Sequence, residues 1–321
     1  MFTVQRSIGE TVQAQRDHGG NIDAAVARYG GARADWMDLS TGINPCPYPA
    51  HVGAPDAWTA LPDKAAQDAL LTAARQFWAV PPDAAILAAP GCSALIAQIP
   101  TLWPTGTVQI AQPTYNEHAA SFGYHGWTVT QVLADVSVHV HPNNPTGAFH
   151  APETLTPTCV IDESFCDIAP DRSLIAQAGY AGRLVLKSFG KFWGLAGLRL
   201  GFAIGDPALI DALKNRLGPW AVSGPALNIG TKALSDPDWA TQTRVQLAQM
   251  AMQLDAIMAP HVNDTIGDVS LFRTYAVADA RHLQDHLARH HIWTRTFPYS
   301  DHWIRLGLPH PTQLHRLKAA L

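Results

Sequence analysis

The segment LKSFGKFWGLAGLRLGF, from Leu186 to Phe202, combines a lysine and an arginine in a way that indicates a reactive amine beside an anion site. It begins within an apolar run, RLVLKSF, which predicts a buried strand. Lys191 and Arg199 lie eight positions apart after that strand. An amine near a cationic group and partly desolvated is a better nucleophile, and a guanidinium suits a phosphate dianion. A surface loop that happens to carry both residues is the alternative.

Short runs rich in Val, Ile and Leu alternate with longer helical patterns from about residue 84 to residue 188. This rhythm predicts an α/β fold with a mostly parallel, buried sheet and helices on its faces. Ligands of open α/β sheets bind beyond the carboxyl ends of the strands, so we expect one pocket there. The residues that follow predicted strands and carry suitable chemistry are Gly91, Tyr115, Asn144, Asp162 and Lys191.

The pattern changes after about Asp206, where helical stretches lead to a strand, a helix and two more strands. This order predicts a smaller α+β domain. We expect residues 41–212 to form the large domain, and residues 1–40 and 213–321 to form the small one. The Gly-rich N-terminal segment is expected to join the small lobe or to cover the site.

Composition argues against several classes of partner. The net charge is −4 and only 15% of the residues are charged, so no basic surface is expected for nucleic acid or anionic lipid. No apolar run resembles a secretory signal or a membrane span, which predicts a soluble cytoplasmic protein. The cysteines are scattered and form no CxxC pair, which predicts reduced thiols; they are Cys46, Cys92, Cys159 and Cys166.

Histidine is frequent, with 15 residues, but its spacing is weak evidence for a metal site. His139 and His141 share a predicted strand face, and His282 and His286 lie one helical turn apart. The sequence offers no adjacent Cys or carboxylate that completes a ligand set, so we expect no metal.

The Leu186–Phe202 segment resembles the lysine motif of fold-type I pyridoxal phosphate (PLP) enzymes, which include the class I and II aminotransferases. The form in histidinol-phosphate aminotransferases and their relatives is the most similar. The resemblance extends over nearly the whole chain, and it implies the fold-type I transferase architecture with PLP as the cofactor. By resemblance, Lys191 carries PLP as a Schiff base, and Arg199 and Ser188 hold its phosphate.

Two further motifs extend the resemblance to the cofactor ring. In CVIDESFCDI, Asp162 matches the residue that pairs with the pyridine nitrogen and keeps the ring an electron sink. In HPNNPTG, Asn144 matches a donor to the phenolic oxygen. Taken alone, such an Asp is equally well explained as a helix cap or turn residue, and NPTG as an ordinary turn.

Two segments match the remaining cofactor contacts. In PGCSALI, a helix is predicted to begin after a strand, so backbone N–H groups near Gly91, Cys92 and Ser93 are expected to bind phosphate. In QPTYNEH, Tyr115 matches an aromatic ring that stacks on the cofactor. A simple Ser helix cap and a core Tyr are the competing explanations.

Two arginines near the C-terminus match substrate-binding positions. In HWIRLGL, Arg305 matches the residue that binds the substrate carboxylate. In IWTRTF, Arg295 matches the position that contacts the phosphate of phosphorylated substrates. Surface charge is the default explanation for an isolated Arg.

The N-terminal HGGN, His18 to Asn21, resembles a signature of the threonine-phosphate decarboxylases, a cobalamin-pathway group within this family. A predicted strand, LSTGINP, follows it as in that group. The DESF segment, where Phe165 replaces the Tyr of aminotransferases, also fits. The resemblance implies that His18, Asn21 and Asn44 contact the substrate, although HGGN is also explained as a turn with Asn21 as a helix N-cap.

This resemblance implies PLP-dependent decarboxylation of L-threonine O-3-phosphate to (R)-1-aminopropan-2-yl phosphate and carbon dioxide, by a homodimer. An aminotransferase acting on a phosphorylated amine or amino acid is the main alternative. It stays open because an Arg305 that holds the carboxylate in the cofactor plane favours loss of the Cα proton instead. A non-catalytic PLP-binding protein is a second alternative, against which the retention of Lys191, Asp162 and Arg305 argues.

Two positions depart from the wider family. Leu61 replaces a Tyr that reaches the cofactor phosphate across the dimer, and Gly190 replaces a Ser or Thr before the lysine. Both changes leave more of the phosphate binding to Ser188, Arg199 and the Gly91 loop.

Overall fold

The computed structural model describes residues 18–321, where helices and strands alternate over the N-terminal two thirds. The helices are α1 (Ile22–Tyr29), α2 (Lys64–Phe77), α3 (Cys92–Gln98), α4 (Asn116–Tyr124), α5 (Pro207–Leu217), α6 (Gly224–Leu234), α7 (Pro237–Met258), α8 (Ala280–Arg289) and α9 (Leu314–Ala320). The strands are β1 (Met37–Asp38), β2 (Ala85–Ala89), β3 (Thr107–Ile110), β4 (Thr128–Thr130), β5 (Val136–Val140), β6 (Cys159–Asp162), β7 (Arg183–Ser188), β8 (Gly201–Gly205), β9 (Asp264–Gly267), β10 (Phe272–Ala276), β11 (Ile292–Trp293), β12 (Arg295–Phe297) and β13 (Ser300–Gly307).

A seven-stranded sheet in the order β2-β8-β7-β6-β5-β3-β4 forms the centre of the molecule. Strand β8 runs antiparallel to both of its neighbours, and the other pairs are parallel. All four residues of β6 are buried, as are most residues of β5 and β7, because helices cover both faces of the sheet. The predicted α/β architecture with a mostly parallel sheet is confirmed.

The C-terminal part contains a four-stranded antiparallel sheet in the order β12-β13-β10-β9. Strand β1 pairs in parallel with β11, which ties the segment before residue 40 to this part of the chain. Helix α6 contacts α2, although α6 follows the predicted boundary at residue 212. The domain boundaries stay predictions, and the first 17 residues of the predicted small domain lie outside the described residues.

The strand predicted for LSTGINP is wrong, because residues 39–45 form a loop. The backbone of this loop bonds several different elements instead of one neighbouring strand. The Leu39 N–H donates to the Trp293 carbonyl, the Leu39 carbonyl accepts from Gly307, and the Asn44 N–H donates to the Lys191 carbonyl. The loop therefore joins the C-terminal sheet to the segment that carries Lys191.

The single strand predicted for IWTRTF is two strands, β11 and β12, which separate at Thr294. Strand β11 pairs with β1, whereas β12 pairs with β13, so the backbone changes partner between them. Strand β9, which the sequence pattern did not predict, forms the edge of the same antiparallel sheet.

Composition predicted that the chain has no membrane span and that its cysteines are reduced thiols. Among residues 18–321, no helix combines the length and the apolar character needed to cross a bilayer. All four cysteines are free thiols, and Cys92, Cys159 and Cys166 are buried.

Candidate active site

A pocket with about 660 Å³ of empty space opens where β5, β6 and β7 end, at Val140, Asp162 and Ser188. Parallel strands bring their carboxyl ends to one edge, so residues far apart in sequence meet here. The predicted site residues that line this pocket are Cys92, Ser93, Tyr115, Asn144, Asp162, Ser188, Lys191 and Arg199.

Lys191 lies in the loop between β7 and β8, and its carbonyl accepts a hydrogen bond from the Asn44 N–H at 3.0 Å. Burial, followed by the positive charge of Arg305, lowers the pKa of Lys191 from 10.5 to about 8. Asp162 acts in the opposite direction. A substantial fraction of this amine is therefore neutral near physiological pH, as a nucleophilic lysine requires.

Asp162 ends β6 and is 2% exposed. One carboxylate oxygen lies 2.8 Å from His118 Nε2, and the other accepts hydrogen bonds from the Ser164 amide and hydroxyl. Burial acts to raise the pKa of Asp162, but the bond and charge of His118 and the bonds from Ser164 outweigh it, so the pKa is lowered. The group at the bottom of the pocket is a carboxylate held in its charged form.

His118, which the sequence argument missed, lies in α4 and is 1% exposed. It follows Tyr115 by three positions in QPTYNEH, so both residues occupy one side of the first helical turn. The Tyr115 and His118 rings meet edge to face with centroids 6.1 Å apart. The three-residue spacing of Tyr115 and His118 was the signal in the sequence that could have pointed to His118. Its partner Asp162 lies 44 positions away, so the spacing does not reveal the pair.

Arg199 packs directly against Gly91, which precedes α3. A Cβ atom at Gly91 would lie 2.6 Å from Arg199 Nη2, and the Gly91 φ of +86° also favours glycine. The Ser188 hydroxyl lines the same end of the pocket and accepts a bond from the Gly190 N–H at 3.2 Å. A guanidinium and a hydroxyl thus meet the start of a helix, a combination suited to a phosphate group.

Cys92 contributes to this end through its backbone and not through a reactive thiol. Its sulfur lies 3.0 Å from the Lys187 carbonyl oxygen, and burial raises the pKa of the thiol to about 12. The thiol is therefore protonated at neutral pH.

Arg305 lies in β13 and is 4% exposed. One guanidinium nitrogen donates to Asn144 Oδ1 and another donates to the Ser40 carbonyl. These bonds place a fixed positive charge beside Asn144, which lines the pocket. They also use the amide oxygen of Asn144, so the amide NH₂ is the group that this side chain can offer as a donor.

Arg295 and His18 do not line the pocket, but both lie near Tyr115, which does. Burial raises the pKa of Tyr115, and the positive charge of Arg295 acts against that shift, so the two side chains lie within electrostatic range. The His18 ring lies 6.4 Å from the Tyr115 ring, and His18 Nε2 lies 3.0 Å from a Glu117 carboxylate oxygen. Arg295 is also the direct cross-strand partner of Arg305, because β12 and β13 pair at these two residues. The two arginines therefore lie next to each other on adjacent strands.

Asn21 and Asn44 do not line this pocket. Asn21 is exposed and precedes α1 in a left-handed conformation, and its side chain makes no cap hydrogen bond. The Asn44 side chain donates to the Phe192 carbonyl and accepts from the Cys46 N–H. Both of these bonds are to backbone, so the side chain of Asn44 holds the Lys191 loop in place.

The expectation that no Cys or carboxylate lies beside the strand histidines is wrong for His141. Within the described part of the chain, His141, Glu163 and Cys166 form one group with the spacing of metal ligands. However, Lys187 Nζ lies 2.5 Å from Glu163 Oε2, and both His141 ring nitrogens have backbone partners at His150 and Arg172. The cation in this group is the Lys187 ammonium, and the absence of a metal stays a prediction.

Comparisons with known proteins give the family. Residues 133–321 match the family model "Aminotransferase class I and II". A threonine-phosphate decarboxylase from a Sinorhizobium species is 39% identical over 91% of this chain and 92% of its own length. A threonine-phosphate decarboxylase from Pseudomonas aeruginosa is 36% identical over 91% of this chain and 93% of its own length. The chain belongs to the threonine-phosphate decarboxylase family.

Membership of the threonine-phosphate decarboxylase family agrees with the fold. A crystal structure of histidinol-phosphate aminotransferase from Sinorhizobium meliloti in complex with pyridoxal-5'-phosphate matches this chain with a TM-score of 0.77. The match covers 99% of this chain and 97% of that chain at 18% identity, so it shows a shared fold. The expected fold-type I architecture is therefore confirmed, while the roles of individual residues rest on the geometry described above.

Proposed function

We propose that this protein decarboxylates L-threonine O-3-phosphate with pyridoxal phosphate as its cofactor, releasing carbon dioxide and (R)-1-aminopropan-2-yl phosphate. The observation that carries the proposal is the identity of 36–39% to threonine-phosphate decarboxylases over 91% of the chain. Lys191 and Asp162 line one pocket, and Arg305 binds Asn144 beside it, which supports the proposal. Cobalamin biosynthesis is the pathway that this assignment implies.

The chemistry of the pocket fits pyridoxal phosphate. A neutral amine at Lys191 suits an aldehyde, the Asp162 carboxylate suits a protonated ring nitrogen, and Arg199 with Ser188 suits a phosphate. Gly91 leaves space that a Cβ atom would fill against Arg199. In this proposal Tyr115 and Asn144 lie beside the cofactor ring. The groups that hold the cofactor are the side chains of Lys191, Asp162, Arg199 and Ser188 and the backbone N–H groups around Cys92 and Ser93.

When bound, pyridoxal phosphate supplies a ring that takes up the electron pair left on the substrate Cα. Asp162 contributes a fixed negative charge, because His118 and Ser164 keep it ionised. Lys191 contributes an amine that binds a proton with a pKa of about 8, so it can both accept a proton and return one to Cα near neutral pH.

The substrate carries two anionic groups, and Arg305 and its cross-strand partner Arg295 offer two adjacent cationic regions. Arg305 is buried and held by Asn144 and the Ser40 carbonyl, which suits a carboxylate. We propose that Arg295, with His18 near Tyr115, binds the phosphate of the substrate. A phosphorylated amino acid is therefore the substrate class that neutralises both regions.

An aminotransferase that acts on a phosphorylated substrate is the second candidate, since it needs the same charges. Phe165 favours the decarboxylase, because it cannot donate the hydrogen bond that a Tyr supplies to the cofactor in aminotransferases. The Phe165 ring lines the pocket beside Lys191, so a hydroxyl on that ring would enter the site.

The decisive experiment is to incubate the purified holoenzyme with threonine phosphate and to trap carbon dioxide. Release of carbon dioxide without any oxo-acid acceptor is expected, together with a visible absorbance that borohydride removes by fixing the cofactor to Lys191. A strict need for an oxo acid would support the aminotransferase, and a Lys191→Ala variant gives the baseline for both measurements.

We further propose a homodimer. Large apolar side chains are exposed beside α2 and α6, namely Trp58 at 73%, Leu61 at 64% and Trp220 at 55%. Exposed apolar patches of this kind commonly mark protein interfaces. Sedimentation equilibrium should give twice the chain mass of 34.6 kDa, and Trp220→Glu should shift the equilibrium towards monomer. The cytoplasmic location stays a prediction.

A further inference from the structure

Two phenylalanines form a row with two cations of the site. Lys191 Nζ lies over the Phe165 ring, 5.1 Å from its centroid. The Arg305 guanidinium lies over the Phe272 ring, 5.3 Å from its centroid. The two rings meet edge to face, with centroids 5.1 Å apart and planes at 80°. The order along this aromatic row is Lys191, Phe165, Phe272, Arg305.

The two rings have little freedom to move. Phe165 is 5% exposed and Phe272 is 0% exposed. A Cβ atom at Gly42 would lie 2.8 Å from Phe165 Cε1 and 3.1 Å from Phe272 Cδ1, so the loop backbone closes the space beside both rings. Edge-to-face pairs are favourable, and ring faces attract cations. The row therefore fixes where an ammonium and a guanidinium can lie.

Several charged groups act on Lys191 from the elements around it. Arg305 from β13 and Arg199 from the same loop as Lys191 destabilise the ammonium, whereas Asp162 at the end of β6 stabilises it. Cys92 also acts on Lys191, but burial keeps its thiol protonated. The face of Phe165 favours the ammonium without adding a hydrogen bond. Phe165 thus opposes the repulsion from the two arginines.

Arg305 is held from three directions. Asn144 and the Ser40 carbonyl accept its hydrogen bonds, and the Phe272 ring contacts the guanidinium. The orientation of this guanidinium matters, because the residue that holds the substrate carboxylate would decide which bond at the substrate Cα the bound cofactor helps to break. An Arg305 guanidinium held at another angle would favour loss of the Cα proton over loss of the carboxylate.

We propose that Phe165 and Phe272 are positioning residues that fix the Lys191 amine and the Arg305 guanidinium relative to each other, and thereby select carboxylate loss over amino transfer. This inference rests on the proposed function. It goes beyond that function by assigning reaction specificity to a pair of rings that make no hydrogen bond with the substrate. A merely structural role for these rings would leave the reaction outcome unchanged.

The test compares Phe165→Leu and Phe272→Leu with Phe122→Leu in the holoenzyme. Phe122 is a matched control, because it is 1% exposed and packs edge to face on Trp127 at 5.1 Å, away from the pocket. One readout is the ratio of amino transfer to carbon dioxide release from threonine phosphate. The other is the pH midpoint of the visible absorbance of the bound cofactor, which reports on protonation at Lys191.

Loss of one ring face should raise the fraction of amino transfer about 2- to 30-fold in both Phe165→Leu and Phe272→Leu. Phe165→Leu should also lower the absorbance midpoint by about half a pH unit to one unit, because the cationic form loses its ring partner. Phe272→Leu should raise the KM for threonine phosphate and change the midpoint less. Phe122→Leu should change neither readout.

Folded variants with the wild-type midpoint and product ratio would overturn the inference. If the Leu variants fail to fold, Phe165→Met and Phe272→Met repeat the comparison with a flexible side chain that fills irregular core gaps. A wild-type enzyme that releases no carbon dioxide would contradict the proposed function itself. A wild-type decarboxylase whose variants behave normally would contradict only the role of the aromatic row.

Discussion

His118 Nε2 lies 2.8 Å from Asp162 Oδ2, and both side chains are buried. Helix α4 supplies the histidine and the end of β6 supplies the carboxylate, so the bond joins a helix to the central sheet. A buried carboxylate without such a partner would shift towards its protonated form. His118 therefore maintains the charge on which the proposed role of Asp162 depends.

We expect His118→Asn to lower kcat about 10- to 100-fold, which corresponds to the loss of one hydrogen bond to a charged group. The pKa of Asp162 should rise, so the acid limb of the pH–rate profile should move to higher pH. Ser121→Ala is the matched control, because it removes a different buried hydrogen bond, to Ile96, from the same helix. A His118→Asn enzyme with the wild-type profile would contradict this role.

The pKa of Lys191 gives a second prediction. With a pKa of about 8, half of this amine is neutral at pH 8, compared with roughly 0.3% of an ordinary lysine. Cofactor-free protein should therefore bind pyridoxal phosphate faster as pH rises through about 8. Stopped-flow absorbance measures this rate.

After burial, the positive charge of Arg305 is the largest cause of the lowered pKa of Lys191. Arg305→Met should therefore move the pH midpoint for cofactor binding upwards, because the ammonium of Lys191 loses a repelling charge. Arg216→Met, on an exposed helix surface, should leave the pH midpoint for cofactor binding unchanged. An unchanged midpoint in Arg305→Met would show that this charge does not act on Lys191.

Gly91 and Gly123 allow a matched test of the phosphate end. Gly91→Ala combines a φ of +86° with a contact of 2.6 Å to Arg199 Nη2, so it should weaken pyridoxal phosphate binding about tenfold or more and lower stability by about 1–2 kcal/mol. Gly123→Ala meets no atom within 4 Å in helix α4 and should stabilise the protein by about 0.5–1 kcal/mol. Cofactor titration and thermal unfolding measure both effects. Equal cofactor affinity in the two variants would contradict the assignment of this end to phosphate.

The parts of the site that the sequence predicted share one property. Asp162 ends a buried strand, and Asn144 and Lys191 lie in the loops after two others; the topology of a parallel sheet brings such positions together without further information. The α/β class was likewise predictable, because fully buried strands appear as continuous apolar runs.

The parts that the sequence did not predict depend on long-range packing. The family resemblance predicted a strand at residues 39–45, but the backbone of this loop bonds Trp293, Gly307 and Lys191, which no local rule anticipates. Similarly, Glu163 and Cys166 meet His141 only because strands β5 and β6 are neighbours, with Val140 beside Asp162. Sequence spacing alone does not contain these contacts.

The histidines beside β5 predict loss of stability in acid. Burial, followed by the charges of His150 and His141, lowers the pKa of His139 from 6.5 to about 4, and burial lowers the pKa of His141 and His150 as well. The unfolded chain therefore binds more protons than the folded chain below about pH 6.5, so stability falls as pH decreases from about 6.5 towards 4. The contribution of these histidines to stability is fully present above about pH 6.5.

Replacing His139 with Gln should reduce this loss by on the order of 2 kcal/mol at pH 4, because a neutral side chain takes the buried position. Gln can keep a hydrogen bond to Ser137, whose hydroxyl lies 2.8 Å from His139 Nε2. Urea unfolding at pH 7 and pH 4.5 measures the effect, with His51→Gln at an exposed loop position as the control. The prediction is wrong if the two variants lose the same free energy of unfolding between these pH values, since the buried histidine would then not be the group that binds the proton.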